Sequence, residues 1–113
     1  LGKAILSTMD DDEVRRLYAD VPMTALTPHS ITSLDRLLEQ LAEVRSRGYA
    51  VEREESNENV CCVAIPLRNR EGRAVYALSV SAPSFRMGEE AIAHCADLLL
   101  GIQPRIEQVL KNA

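Results

Sequence analysis

Residues Gly48 to Pro83 read GYAVEREESNENVCCVAIPLRNREGRAVYALSVSAP, and their reading decides the fold. The stretch divides into three extended runs separated by turn chemistry. Tyr49–Glu54 is the first, and the polar segment from Ser56 to Asn59 turns the chain. Val60–Leu67 is almost wholly apolar, the pattern of a strand covered on both faces. Asn69-Arg70-Glu71-Gly72 has hairpin chemistry, so Ala74–Ser81 is expected to return antiparallel beside it. Pro66 lacks the amide hydrogen that a ladder uses, which predicts a bulge or a strand end there.

Helices flank these runs. Leu34, Leu37, Leu38, Leu41 and Val44 recur at helical spacing, with Ser33 as cap and Gly48 as the left-handed stop. Arg45 and Arg47 in the last turn suit the helix dipole. Further upstream, Asp10 and Glu13 have capping-box spacing, and Asp11 and Asp12 favour the positive end of the helix they open. That acidic run is a helix start rather than a metal site. Val14, Leu17 and Tyr18 give the helix an apolar stripe, Pro22 closes it, and Thr24–Thr32 is a loop. Downstream, Glu89–Lys111 carries the stripe Ile92, Cys95, Leu99, Ile102, Ile106 and Val109. Gly101 and Pro104 interrupt it, so a kink or two abutting helices are expected. The sum is an α+β domain, an antiparallel sheet flanked by helices.

Composition narrows the function. A chain of 113 residues fits one domain. Its 46% apolar and 27% charged content is that of an ordinary globular protein. A net charge of −4 argues against a nucleic-acid footprint on this chain. No apolar run reaches the roughly 18 residues that cross a bilayer. Three cysteines, two of them adjacent, read as free thiols in a reducing, cytoplasmic setting. The opening Leu1–Leu6 has neither an initiator Met nor a signal-peptide pattern nor a cap, and more protein is expected upstream.

The third run holds the chemistry. Val75, Ala77, Ser79 and Ser81 share one face, which shrinks along the strand. Either a helix packs close to that face or it borders a cavity. Buried hydroxyls need partners, from internal bonds or from a bound organic acid. Cys62 points opposite to Cys61 and Val63, so it can lie near the two serines, and Glu52 can point inward beside it. As a nucleophile Cys62 would need a base. His29 is in a loop, and His94 points away from its neighbour Cys95. There is no phosphate-cradling glycine loop, CxxC pair or HExxH. No catalytic residue, metal or cofactor is expected.

The segments LGKA, LTPHSIT, RSRGYAVEREE and CVAIPLRNREGRAVYALSVSAP, in this order and spacing, resemble the IclR family of bacterial transcription regulators. The resemblance implies the C-terminal effector-binding domain, with a GAF-like, profilin-like fold. Residues 1–113 would be its later part, with the start of the sensor domain and a winged helix-turn-helix preceding Leu1. It further implies a small organic acid as effector, whether a keto acid, an aromatic acid or a sugar acid. Ser79 and Ser81 would hydrogen-bond that acid, Cys62 and the apolar Val60 would line the pocket, and Glu52 would stand where the family usually has Asp. Asn59 in place of Gly and Cys61 in place of Arg depart from the family pattern, which leaves the ligand's identity open. DNA would be contacted only through the absent N-terminal domain, in a homodimer or homotetramer. Competing readings are a GAF-like sensor or oligomerisation domain of another signalling protein, and a cysteine-dependent enzyme or redox sensor.

Overall fold

Local signals set most of the helix ends. In the computed structural model, which describes residues 1–112, α1 spans Gly2–Leu6, α2 Asp11–Tyr18 and α3 Leu34–Arg47. The strands are β1 (Ala50–Arg53), β2 (Val60–Arg68) and β3 (Ala74–Pro83), followed by a 3-10 turn and α4 (Glu89–Lys111). At the start of α3 the Ser33 hydroxyl accepts from the Arg36 N–H, and at its end Gly48 takes φ 91° and donates to Val44 O at 2.7 Å. At α2 the Asp10 carboxylate accepts from the Glu13 N–H at 2.8 Å. The apolar stripe of α2 is narrower than expected. Val14 is buried against Leu37, Leu38 and Leu41, but Leu17 is exposed because only one side of α2 meets α3.

The sheet order is β1-β2-β3, antiparallel throughout. Its two faces are covered unequally. Val51, Cys61, Val63, Ile65 and Leu67 pack against Met87, Ile92, Ala96 and Leu99, which places α4 on one face. On the other, Ala50, Ala64 and the half-buried Ala77 meet Ala4 of α1 and Val44 of α3. Alanines on both sides bring the α1 backbone close to the strands. β1 ends at Arg53, one residue short of expectation, because Glu54 turns to φ 58°. β3 instead runs two residues further, to Pro83.

A bulge sets the register. At the hairpin Arg68 pairs with Ala74, yet from Leu67–Tyr76 onward the partners are shifted by one residue. Since side chains alternate, a one-residue slip exchanges the faces of a strand. With the bulge, Ser79 and Ser81 share a face with Cys62. Without it, Leu78 and Val80 would take their place.

The irregularity falls one residue beyond Pro66 rather than on it. The carbonyl of Val60 accepts from Glu54 N at 2.9 Å, so by alternation Pro66 and Arg68 turn their backbone groups toward the β1 side. β1 pairs only as far as Ala50–Ala64, so the missing proline donor faces no strand. Instead, Gln103 Nε2 donates to Pro66 O and Glu107 Oε2 accepts from Arg68 N, both at 2.7 Å. Those contacts accompany a correction. α4 runs as one continuous helix through Gly101 and Pro104 rather than as two abutting helices. Its outer side at Gly101, Ile102, Pro104 and Arg105 is exposed, where solvent can satisfy the carbonyl that proline leaves free. Of the expected stripe, Ile102 and Val109 are exposed, while Ile106 and, beyond the expectation, Leu110 pack against the core. Replacing Gln103 or Glu107 by Ala strands a partly buried backbone group, and each change should cost about 1–3 kcal/mol in urea unfolding.

Candidate functional site

The bulge-set register lines up a polar row across the three strands. Glu52 of β1 pairs with Cys62 of β2, which pairs with Ser81 of β3. One step along, the row is Ala50, Ala64 and Ser79. Beyond it lies Ala77, opposite Pro66. The two ends of this face differ. Over Ala50, Ala64 and Ala77 the fully buried Ala4 packs close. Over Cys62 and Ser81 the face is open. Ser79 is half-buried and Ser81 exposed, while Val60, opposite Pro83, is 38% exposed at the far rim.

Within the row, Cys62 Sγ lies 3.4 Å from Glu52 Oε2, and the Ser81 hydroxyl is beside the same sulfur. Glu52 Oε1 accepts from the Ser56 N–H at 3.0 Å. Burial pushes the Glu52 carboxyl up, while hydrogen bonds from Ser56 and Cys62 pull it down, and the net shift is downward. Glu52 is thus an ionised acceptor. Burial raises the Cys62 thiol, and the hydrogen bond and charge of Glu52 raise it further. Burial likewise raises Cys61. A protonated thiol beside a carboxylate is a donor and a poor nucleophile. Cys62 should alkylate more slowly than free cysteine at neutral pH, its rate rising only above the ordinary thiol range. Glu52→Gln removes an anion that favours the neutral thiol, so it should lower that threshold and speed the reaction. An iodoacetamide rate–pH profile of both proteins checks this, and a fast Cys62 at pH 7 contradicts it.

The two departures from the family pattern separate here. Asn59 adopts φ 65°, the left-handed region that glycine favours and asparagine tolerates. Cys61 faces α4, in the core on the opposite side of the sheet, so it does not bear on the row.

Sequence reasoning missed the other wall. On the far side of Glu52 a cleft of about 260 Å³ runs between α1, the loop after α2 and the 54–56 turn. The LTPHSIT segment is more than a loop with a proline, because it staples that turn. Thr27 Oγ1 donates to Glu54 O and Ser30 Oγ to Glu55 O, while His29 Nε2 stands 3.8 Å from Glu54 Oε2. Lys3 ties α1 to the same turn. Its ammonium donates to Gln40 Oε1, Val51 O and the Glu55 carboxylate, at 2.7–3.0 Å. A lone lysine at the head of an apolar turn was the available signal. Among the described residues no cluster of His, Cys, Asp and Glu is arranged to hold a metal, and no helix is long and apolar enough to cross a membrane.

Known proteins share this arrangement of elements. The regulator KdgR of Escherichia coli (strain K12) is 35% identical over 99 residues, 88% of this chain and 38% of KdgR. The crystal structure of the Thermotoga maritima IclR superposes with a TM-score of 0.91 at 31% identity, over 96% of this chain and 44% of that one. A double mutant of the inducer-binding domain of PobR from Acinetobacter, in complex with 3-hydroxybenzoic acid, superposes with a TM-score of 0.79 at 26% identity, over 97% of this chain and 61% of that one. The chain thus spans well under half the length of the curated relative. The family profile described as "Bacterial transcriptional regulator IclR C-terminal" matches residues 1–106, and the chain belongs to that family of regulators.

Proposed function

We propose that this chain is the later part of an effector-binding domain, and that it holds a small organic acid without transforming it. The Glu52–Cys62–Ser81 row carries this reading. It offers hydroxyl and thiol donors from one open sheet face, and its thiol is protonated. Ser79 and Ser81 donate to the acid, Cys62 and Val60 line its path, and Glu52 accepts from it. Keto acids, aromatic acids and sugar acids fit such donors. The PobR domain in complex with 3-hydroxybenzoic acid supports an acid of this size in a related fold. DNA is contacted by a winged helix-turn-helix elsewhere in the regulator, which works in the cytoplasm as a homodimer or homotetramer. The acid shifts the oligomer only by its differential affinity for two arrangements of the sensor domains.

A thermal-shift screen of small carboxylic acids on the intact regulator tests the reading. At least one acid should raise the melting temperature saturably. If none does at millimolar concentration, the reading is wrong.

A further inference from the structure

The cleft beyond Glu52 is built differently from the row. Tyr18, Met23 and Ile31 line it half-buried, and Leu37 closes its floor. Leu26 stands over it, 72% exposed. The Lys3 ammonium at its rim is committed, because it already has Gln40, Val51 and Glu55 as acceptors. An acid group therefore finds no free side-chain cation there, while apolar carbon finds the Tyr18, Met23, Ile31 and Leu37 side of a lining that elsewhere carries Thr24, Ser30, Glu55 and Ser56. Glu52 belongs to both regions. One carboxylate oxygen meets Cys62 in the row, and the other meets Ser56, which lines the cleft. Glu52 is the residue that the row and the cleft share, and an acceptor-only group there selects a hydroxyl or amine.

We infer that the effector reaches past Glu52 into this cleft: it is a carboxylic acid with a hydrogen-bond donor at Glu52 and an apolar portion beyond, whose length Leu26, Met23 and Ile31 select. The inference rests on the proposed acid site and adds the chemistry of the far end. It disfavours the smallest keto acids, which have neither the donor nor the apolar portion.

The test uses the intact regulator and calorimetric titration with 3-hydroxybutanoate, 3-hydroxyhexanoate, 3-hydroxyoctanoate and plain hexanoate. Each methylene entering the cleft should tighten binding about fourfold, and hexanoate should bind more weakly than its hydroxylated counterpart. Leu26→Trp fills the cleft mouth and should reverse the ranking toward the short acid. Leu26→Asn, which removes apolar wall, should flatten the series. Leu26 is largely exposed, so neither change disturbs the core. Equal affinity along the series, or a series unaffected by both variants, overturns the inference. It also falls if the series fails while another carboxylic acid binds and loses that binding in Ser79→Ala/Ser81→Ala, but the acid site then stands. If no acid depends on the serines, both fall.

Discussion

Replacing Ser79 and Ser81 together by alanine should abolish the melting-temperature rise caused by the acid and leave the ligand-free protein as stable as before. A hydrogen bond to a charged group contributes about 1.5–3 kcal/mol. Losing two should weaken binding on the order of a hundredfold or more. Stability should move by no more than about 0.5 kcal/mol, since neither hydroxyl is deeply buried. The pairing makes the test selective. Ser81 sits opposite Cys62 and Ser79 opposite Ala64, so both lie on the site face, and alanine preserves the register. As an internal control, Val80→Ala alters the neighbouring residue on the other face and should leave acid binding unchanged.

The largest stability effect should come from Lys3. Its side chain is 13% exposed and that of its partner Glu55 is 16% exposed, with Nζ 2.8 Å from Oε1. Removing one member of such a pair leaves an unpaired, poorly solvated charge and typically costs about 3–5 kcal/mol. Lys3→Met should approach that figure while keeping the packing of the stem. The contrast is Arg53→Ala. The Arg53–Glu89 pair is 53% and 86% exposed, and its loss should cost no more than about 1 kcal/mol. The Lys3 change should also weaken acid binding. Glu55 is the residue before Ser56, whose N–H holds Glu52 in place, so releasing Glu55 frees the carboxylate of the row. Urea unfolding and titration of the same two variants separate these effects.

What the sequence showed and what it hid follow from the range of the forces involved. α3 was legible to its last residue, because Ser33 and Gly48 act within one turn of the ends they set. The hairpin was legible for the same reason. Gly72 takes φ 79° and donates to Asn69 O at 3.0 Å, and Asn69 Oδ1 accepts from Glu71 N and Arg73 N. The α4 interior was not legible. Proline favours a break locally, but Gln103 and Glu107 bond the backbone of a strand more than thirty-five residues away, and those tertiary contacts hold both sides of Pro104 against β2 in one continuous helix.

The same division runs through the candidate site. Alternation alone put Ser79, Ser81 and Cys62 on candidate faces, while the bulge between Leu67 and Arg68 brought those faces together. The cleft behind Glu52 was invisible in the sequence. It is assembled from α1, a loop and a turn joined through Lys3, Thr27 and Ser30, contacts that span 25 to 52 residues.

The most direct measurement is an NMR titration of the intact regulator, amide-labelled, with an acid found in the screen. The amides of Glu52, Cys62, Ser79 and Ser81 should shift together along one saturation curve, with those of the α4 face lagging or still. Shifts confined to α4 and the outer edge of β3, with the four site amides unmoved at saturation, would contradict the account.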